Sequence, residues 1–176
     1  MDKLYFFVTS CDTWQNVDTN QYLANYFITE EGFLHAFLIA LIIAVVFAGL
    51  FYGWIGMKED RLSNLGVWLG ALLLDGVIGF ITTKMLVIGS QNDQTGVFNS
   101  IVNYKSQLLI QPGFSGNDQQ VKLLTDTTNN LVQALADNCN VVMSLCIGNA
   151  IISVILFFII SICVKNLTVM ATHVPF

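Results

Sequence analysis

The chain has 176 residues, of which 55% are hydrophobic and 11% are charged, and its formal net charge is −5 at pH 7. Soluble domains carry about 25% charged residues, so this composition is typical of a membrane protein. The 7 Lys and Arg residues supply too few cations for a phosphate-binding face, which excludes a nucleic-acid-binding protein. The 2 His and 4 Cys residues have no metal-ligand spacing, so neither a metal nor a cofactor is expected.

The first 31 residues are largely polar, and we predict that 1–31 is an extracytoplasmic segment ahead of the first apolar run. Tyr22, Tyr26 and Phe27 lie close to that run, as aromatic residues do at membrane interfaces. The stretch 18–31 is therefore predicted to lie on the outer surface as an amphipathic helix.

Three apolar segments, 32–56, 65–89 and 139–164, each exceed the roughly 20 residues that cross a hydrocarbon core. Because lipid offers no partner to a backbone N–H or C=O group, these segments must be helical. The predicted fold class is an all-α integral membrane protein with three transmembrane helices.

Small residues recur at four-residue spacing in these segments, a pattern that lets helices approach closely. The predicted packing strip consists of Ala36, Ala40, Ala44 and Ala48 in the first helix, Gly66, Gly70 and Gly79 in the second, and Gly148 in the third.

Asp75 is the one carboxylate near the middle of a predicted span. An ionised Asp costs about 2.5–3.5 kcal/mol there, so Asp75 is expected to face the other helices, with Asn149, Ser153 or Thr82 as its partner. Two interpretations stay open: a hydrogen bond that fixes helix packing, or a proton or cation site. Lys84 lies on nearly the opposite face and is predicted to extend its ammonium group to the outer headgroups.

The polar segment 90–138 repeats apolar residues at helical spacing on both sides of a breaker cluster at 111–117. We predict that the second and third transmembrane helices continue out of the membrane as an antiparallel helical hairpin that turns there. Its tip, Pro112, Gly113 and Phe114, offers an apolar contact to a partner. The alternative interpretation is a polar loop with two short helices. The predicted seam consists of Val97, Ile101, Tyr104, Leu108, Val121, Leu124, Thr128, Leu131 and Leu135.

Basic residues near helix ends indicate which side is cytoplasmic. Lys58 and Arg61 lie in the short loop 57–64, and Lys165 begins the tail 165–176, so both segments are predicted to be cytoplasmic. The N-terminus and the hairpin are then extracytoplasmic.

On this outer side, Cys11 and Cys139 share a compartment that permits a disulfide. Scarce Arg and abundant Asn hint at an AT-rich bacterial genome, which favours a bacterial inner membrane.

The sequence assembles no nucleophile, base or metal cluster, so an enzyme is not expected. The predicted function is a non-catalytic structural or anchoring subunit of a multiprotein membrane complex, most consistent with an envelope-spanning secretion-type or conjugation-type machine. One alternative is a homo-oligomeric pore or ion channel with Asp75 in or near the lumen, and another is an accessory subunit of a respiratory-type complex. The expected partners are the lipid bilayer, other subunits of such a complex and copies of the chain itself.

Overall fold

The computed structural model describes residues 4–10, 14, 17–52, 65–111, 118–137 and 140–165. All regular secondary structure in these ranges is helical, which confirms the all-α fold class. The helices are α1 (Phe6–Thr9), α2 (Val17–Ala24), α3 (Gly32–Leu50), α4 (Leu65–Thr83), α5 (Val97–Ile110), α6 (Asp118–Ala136) and α7 (Asn140–Lys165). Two π-helical turns, Asn25–Thr29 and Lys84–Ile88, extend α2 and α4.

Three helices are long and apolar enough to cross a membrane by length and composition, namely Gly32–Leu50, Gly66–Ile88 and Asn140–Val164. They match the three predicted segments, so the prediction of three apolar helices of spanning length is confirmed. The loop 57–64 and the residues after Lys165 lie outside the described residues.

The chain divides into two compact units. The first unit comprises residues 1–35 and 84–146, and the second comprises 36–83 and 147–176.

Aromatic side chains form the core of the N-terminal part of the first unit. The ring of Phe33 stacks on Tyr5 and on Phe27, each with a centroid distance of 4.9 Å, and Trp14 stacks on Phe33 at 5.7 Å. Tyr22 is fully buried and meets Tyr104 of α5 edge to face. Tyr5, Trp14, Tyr22, Tyr26 and Phe27 therefore pack against protein, a feature that the sequence pattern did not reveal.

Helices α5 and α6 pack against each other, and α2 contacts both of them. Tyr104 and Val121 of the predicted seam are half-buried. The other seam residues are buried: Val97, Ile101, Leu108, Leu124, Thr128, Leu131 and Leu135. The spacing thus identified the packed faces, whereas the tip residues Pro112, Gly113 and Phe114 lie outside the described residues.

The prediction that the second apolar helix continues without interruption into the hairpin is wrong. The π-helical turn ends at Ile88, residues 89–96 form a non-helical connection, and α5 begins at Val97. Gly89 and Gly96 have φ values of +80° and +58°, in a backbone region that residues other than glycine rarely adopt. Two glycines therefore end one helix and permit the next to start.

The connection is held closed by Thr95 and Ser90. The Ser90 N–H donates to Thr95 Oγ1 at 2.9 Å, and the Thr95 N–H donates to the Ser90 carbonyl at 3.1 Å. This reciprocal pair gives residues 90–95 a defined shape.

We expect Gly89→Ala and Gly96→Ala each to lower the free energy of unfolding by more than about 1 kcal/mol, because both need a positive φ. An added Cβ would also lie 2.2 Å from the Thr95 carbonyl oxygen at Gly89, and 2.5 Å from the Val87 carbonyl oxygen at Gly96. Hydrogen exchange of the α5 amides measures the effect. Gly70→Ala is the matched control because its Cβ meets nothing within 4 Å. Equal exchange in all three variants would show that the connection 89–96 does not need glycine at positions 89 and 96.

Candidate functional site

The second unit contains a buried polar cluster, which is the candidate site. The cluster packs against the predicted alanine strip of α3. All four of its residues are at most 1% exposed, namely Ala36, Ala40, Ala44 and Ala48. Methyl side chains allow another helix to come close enough for its polar side chains to reach the α3 carbonyl oxygens.

Asn149 of α7 makes the first connection of the cluster. Its Nδ2 atom donates to the Ala36 carbonyl oxygen at 3.0 Å and to Thr83 Oγ1 at 2.6 Å. The Thr83 hydroxyl in turn donates to the Gly79 carbonyl oxygen at 2.7 Å. One amide group therefore links α7 to both α3 and α4.

Ser153, one turn further along α7, makes the second connection. Its hydroxyl donates to Asp75 Oδ2 at 2.9 Å and lies 3.3 Å from the Ala40 carbonyl oxygen. Asp75 is 0% exposed, and within the described residues nothing donates to its Oδ1 atom. The same three helices are thus linked twice, at α7 positions four residues apart.

Of the three partners expected for Asp75, the structure places Ser153 against it. Asn149 bonds to Thr83 instead, and the Thr82 hydroxyl donates to the Ile78 carbonyl oxygen of its own helix at 2.7 Å. Thr83 was missed by the sequence analysis. Its signal was present, because Asp75, Gly79 and Thr83 follow one another at four-residue spacing.

The predicted glycine positions behave differently from one another. An added Cβ at Gly79 would lie 3.3 Å from the Cβ of Ser153, so this glycine permits the close contact between α4 and α7. Gly66 is exposed, and an added Cβ at Gly70 would meet nothing within 4 Å. Gly148 is half-buried. Gly66 and Gly70 are therefore not positions of the close helix contact that is seen at Gly79.

Trp68 explains the different behaviour of the two ends of α4. It is 3% exposed, and its ring lies 6.0 Å from that of Phe157 on α7. Ala44, Ala48 and Phe51 of the α3 region belong to the same buried cluster. Large aromatic rings thus fill the space between the helices at the Trp68 end of α4. At the other end, the polar cluster and Gly79 permit the helices to approach more closely.

The first unit has a polar connection of its own. Asn25 Nδ2 and Ser100 Oγ donate to Glu30 Oε1 at 2.8 and 2.9 Å, and the Tyr26 hydroxyl donates to the Val87 carbonyl oxygen at 2.7 Å. Burial, with a smaller contribution from the nearby Glu30 carboxylate, raises the pKa of Tyr26 to about 12. These bonds tie the first π-helical turn to α5 and to the second turn.

The remaining predicted residues lie elsewhere. Lys84 is exposed at the start of the second π-helical turn. Cys11 and Cys139 lie outside the described residues, whereas the described Cys146 and Cys163 are free thiols. Within the part of the chain that the structure describes, no three His, Cys, Asp or Glu side chains group as metal ligands would.

Comparison with protein-family models, with curated protein sequences and with solved structures gave no match to this chain.

Proposed function

We propose that the chain is a non-catalytic anchoring subunit of a multiprotein membrane complex, with α3, α4 and α7 crossing the bilayer. The observation that carries the proposal is how the buried polar side chains of the second unit are used. Asp75, Thr83, Asn149 and Ser153 bond to one another and to helix backbone. Such bonds hold helices together in lipid, where no hydrophobic effect drives helix against helix.

The outer faces of the same helices support membrane insertion. Large apolar side chains on these faces are at least one-third exposed in the isolated chain, and a surface of this kind marks a membrane or protein contact. They include Leu38, Ile42, Val45, Leu73, Leu74, Val77, Ile151, Ile155 and Ile159.

Within this proposal, Lys58, Arg61 and Lys165 lie on the cytoplasmic side, following the positive-inside rule. The N-terminal segment is then extracytoplasmic, and α5 and α6 form a helical hairpin that reaches partners outside the membrane. An anchor with an external docking element is an architecture suited to envelope-spanning secretion or conjugation machines of a bacterial inner membrane.

The burial of Asp75 favours an anchor over a pore. A carboxylate that lines a lumen must contact water or a passing ion, yet Asp75 is 0% exposed and accepts a hydrogen bond from Ser153. Its position between helices of one chain is that of a packing group.

The test is purification of the tagged chain from its native membrane in mild detergent, followed by identification and counting of every subunit. We expect foreign subunits in fixed stoichiometry. An unrelated tagged membrane protein, purified in parallel, identifies the contaminants. A ring that contains only this chain would contradict the anchor and favour the pore.

A further inference from the structure

A groove between α5 and α6 in the first unit has a volume of ≈ 400 Å³, within the range of about 300–1,000 Å³ that is typical of ligand pockets. Apolar side chains from both helices line it, among them Phe98, Val102, Leu109 and Val132. Val102 remains 38% exposed, so this lining is not sealed by the rest of the unit.

Amide side chains border the apolar lining. Gln91 and Gln94 come from the glycine-bounded connection 89–96, and Asn129 comes from α6. Gln94 has a φ of +49°, a backbone conformation that is uncommon for a residue other than glycine and that is held where surrounding structure fixes it. The break in the helix therefore has a local consequence: it places two glutamines at the groove.

Lys105 is the charged side chain of the groove lining and is half-buried. Among the described residues, no carboxylate forms an ion pair with it. The surrounding unit is acidic, with nine Asp and Glu residues and four Lys residues in its sequence. Lys105 thus gives the groove one positive charge, which is complementary to a single carboxylate next to an apolar group.

We propose that this groove binds an extended acidic segment of a protein partner. Its carboxylate pairs with Lys105, an aliphatic side chain contacts Val102 and Leu109, and its backbone bonds to the amides of Gln94 and Asn129. An extended segment fits because side-chain amides pair with backbone N–H and C=O groups, which a helix keeps for itself. This inference rests on the proposed anchoring function and adds the chemistry of the partner.

The first test measures binding of fluorescein-labelled peptides to the full chain in detergent micelles by anisotropy. The probes are three nine-residue peptides in which Leu alternates with Ser and the central residue is Glu, Gln or Lys. We expect the Glu peptide to bind about tenfold more tightly than the Gln peptide, since a charged hydrogen bond is worth about that factor. The preference should shrink as salt is raised. The inference is overturned if the Glu and Gln peptides bind with equal affinity, or if neither peptide binds.

The charge reversal Lys105→Glu should transfer the preference from the Glu peptide to the Lys peptide. Lys122→Glu is the matched control, because Lys122 is exposed on α6, does not line the groove and changes the net charge equally. We expect this control to keep the wild-type preference. The same loss in both variants would assign the effect to overall charge and overturn the site.

A photoreactive benzoylphenylalanine at Ser106, which lines the groove, identifies the occupant in native membranes. The expected adduct joins the chain to an acidic segment of a foreign subunit, mapped by mass spectrometry. An adduct between two copies of the chain, or one with a segment that lacks Asp and Glu, overturns the inference.

The two proposals fail separately. If the chain purifies without foreign subunits, the anchoring function fails while the peptide preference still tests the groove. If foreign subunits copurify but the Glu peptide shows no preference, only the groove inference fails.

Discussion

Replacing Ala40 with leucine is expected to lower the free energy of unfolding of the second unit by about 1–3 kcal/mol, the usual cost of forcing extra methylene groups into packed protein. Ala40 is 0% exposed, and its carbonyl oxygen lies 3.3 Å from Ser153 Oγ. A leucine side chain at this position pushes α7 away, so the Ser153 and Asn149 connections lengthen together. The variant should also lose any foreign subunits that copurify with the wild-type chain.

Unfolding in mixed detergent micelles, followed by tryptophan fluorescence, measures this loss. Trp68 is a suitable reporter because its ring lies 6.0 Å from that of Phe157 in the same unit. Gly49→Leu introduces the same side chain into the same helix at a position where an added Cβ meets nothing within 4 Å. We expect this control to unfold at or above the wild-type midpoint, because glycine weakens a helix interior by about 1 kcal/mol. Equal destabilisation by the two leucines would show that helices do not meet at the alanine strip.

The parts of this fold that the sequence predicted depend on composition and spacing. The lengths of α3, α4 and α7 follow from uncharged or nearly uncharged runs, since backbone groups in such runs must bond within a helix. The buried faces of α5 and α6 follow from steps of three and four residues between apolar side chains, as Ile101, Leu108, Leu124 and Leu131 show.

The break at 89–96 could not be predicted in the same way. Apolar spacing identifies the buried face of a helix but not whether the helix is continuous, and here continuity is decided by the positive φ angles of Gly89 and Gly96. The aromatic core around Phe33 was missed for a related reason. Its rings come from Tyr5, Trp14 and Phe27, and no local pattern tells that residues spread over the N-terminal segment converge.

The candidate site could be predicted only in part. Helical spacing placed Asp75, Asn149 and Ser153 on faces that could meet, but it could not assign the pairs. The pairing depends on the axial offset between α4 and α7. That offset sets Ser153 beside Asp75 and leaves Asn149, one turn away, beside Thr83.

An exchange of acid and amide groups at two neighbouring positions separates a packing role for this cluster from a conducting one. We expect Asn149→Asp to lower the free energy of unfolding by about 1–3 kcal/mol, the cost of leaving buried hydrogen-bonding groups without partners. Asn149 Nδ2 donates to two acceptors, the Ala36 carbonyl oxygen and Thr83 Oγ1. An aspartate sets an acceptor oxygen against both, and the Thr83 hydroxyl proton is already donated to Gly79.

Asp75→Asn should change the free energy of unfolding by less than about 1 kcal/mol, because hydrogen bonds between membrane helices average about 0.6 kcal/mol and the amide oxygen still accepts from Ser153. Unfolding in mixed micelles compares the two variants, and ion flux into proteoliposomes is measured on the same preparations. A conducting role for Asp75 requires the opposite pattern, in which Asp75→Asn alters ion flux while the protein remains folded. An Asp75→Asn chain that is stable and shows unchanged flux leaves the carboxylate as a packing group, which is the role that an anchoring subunit needs from it.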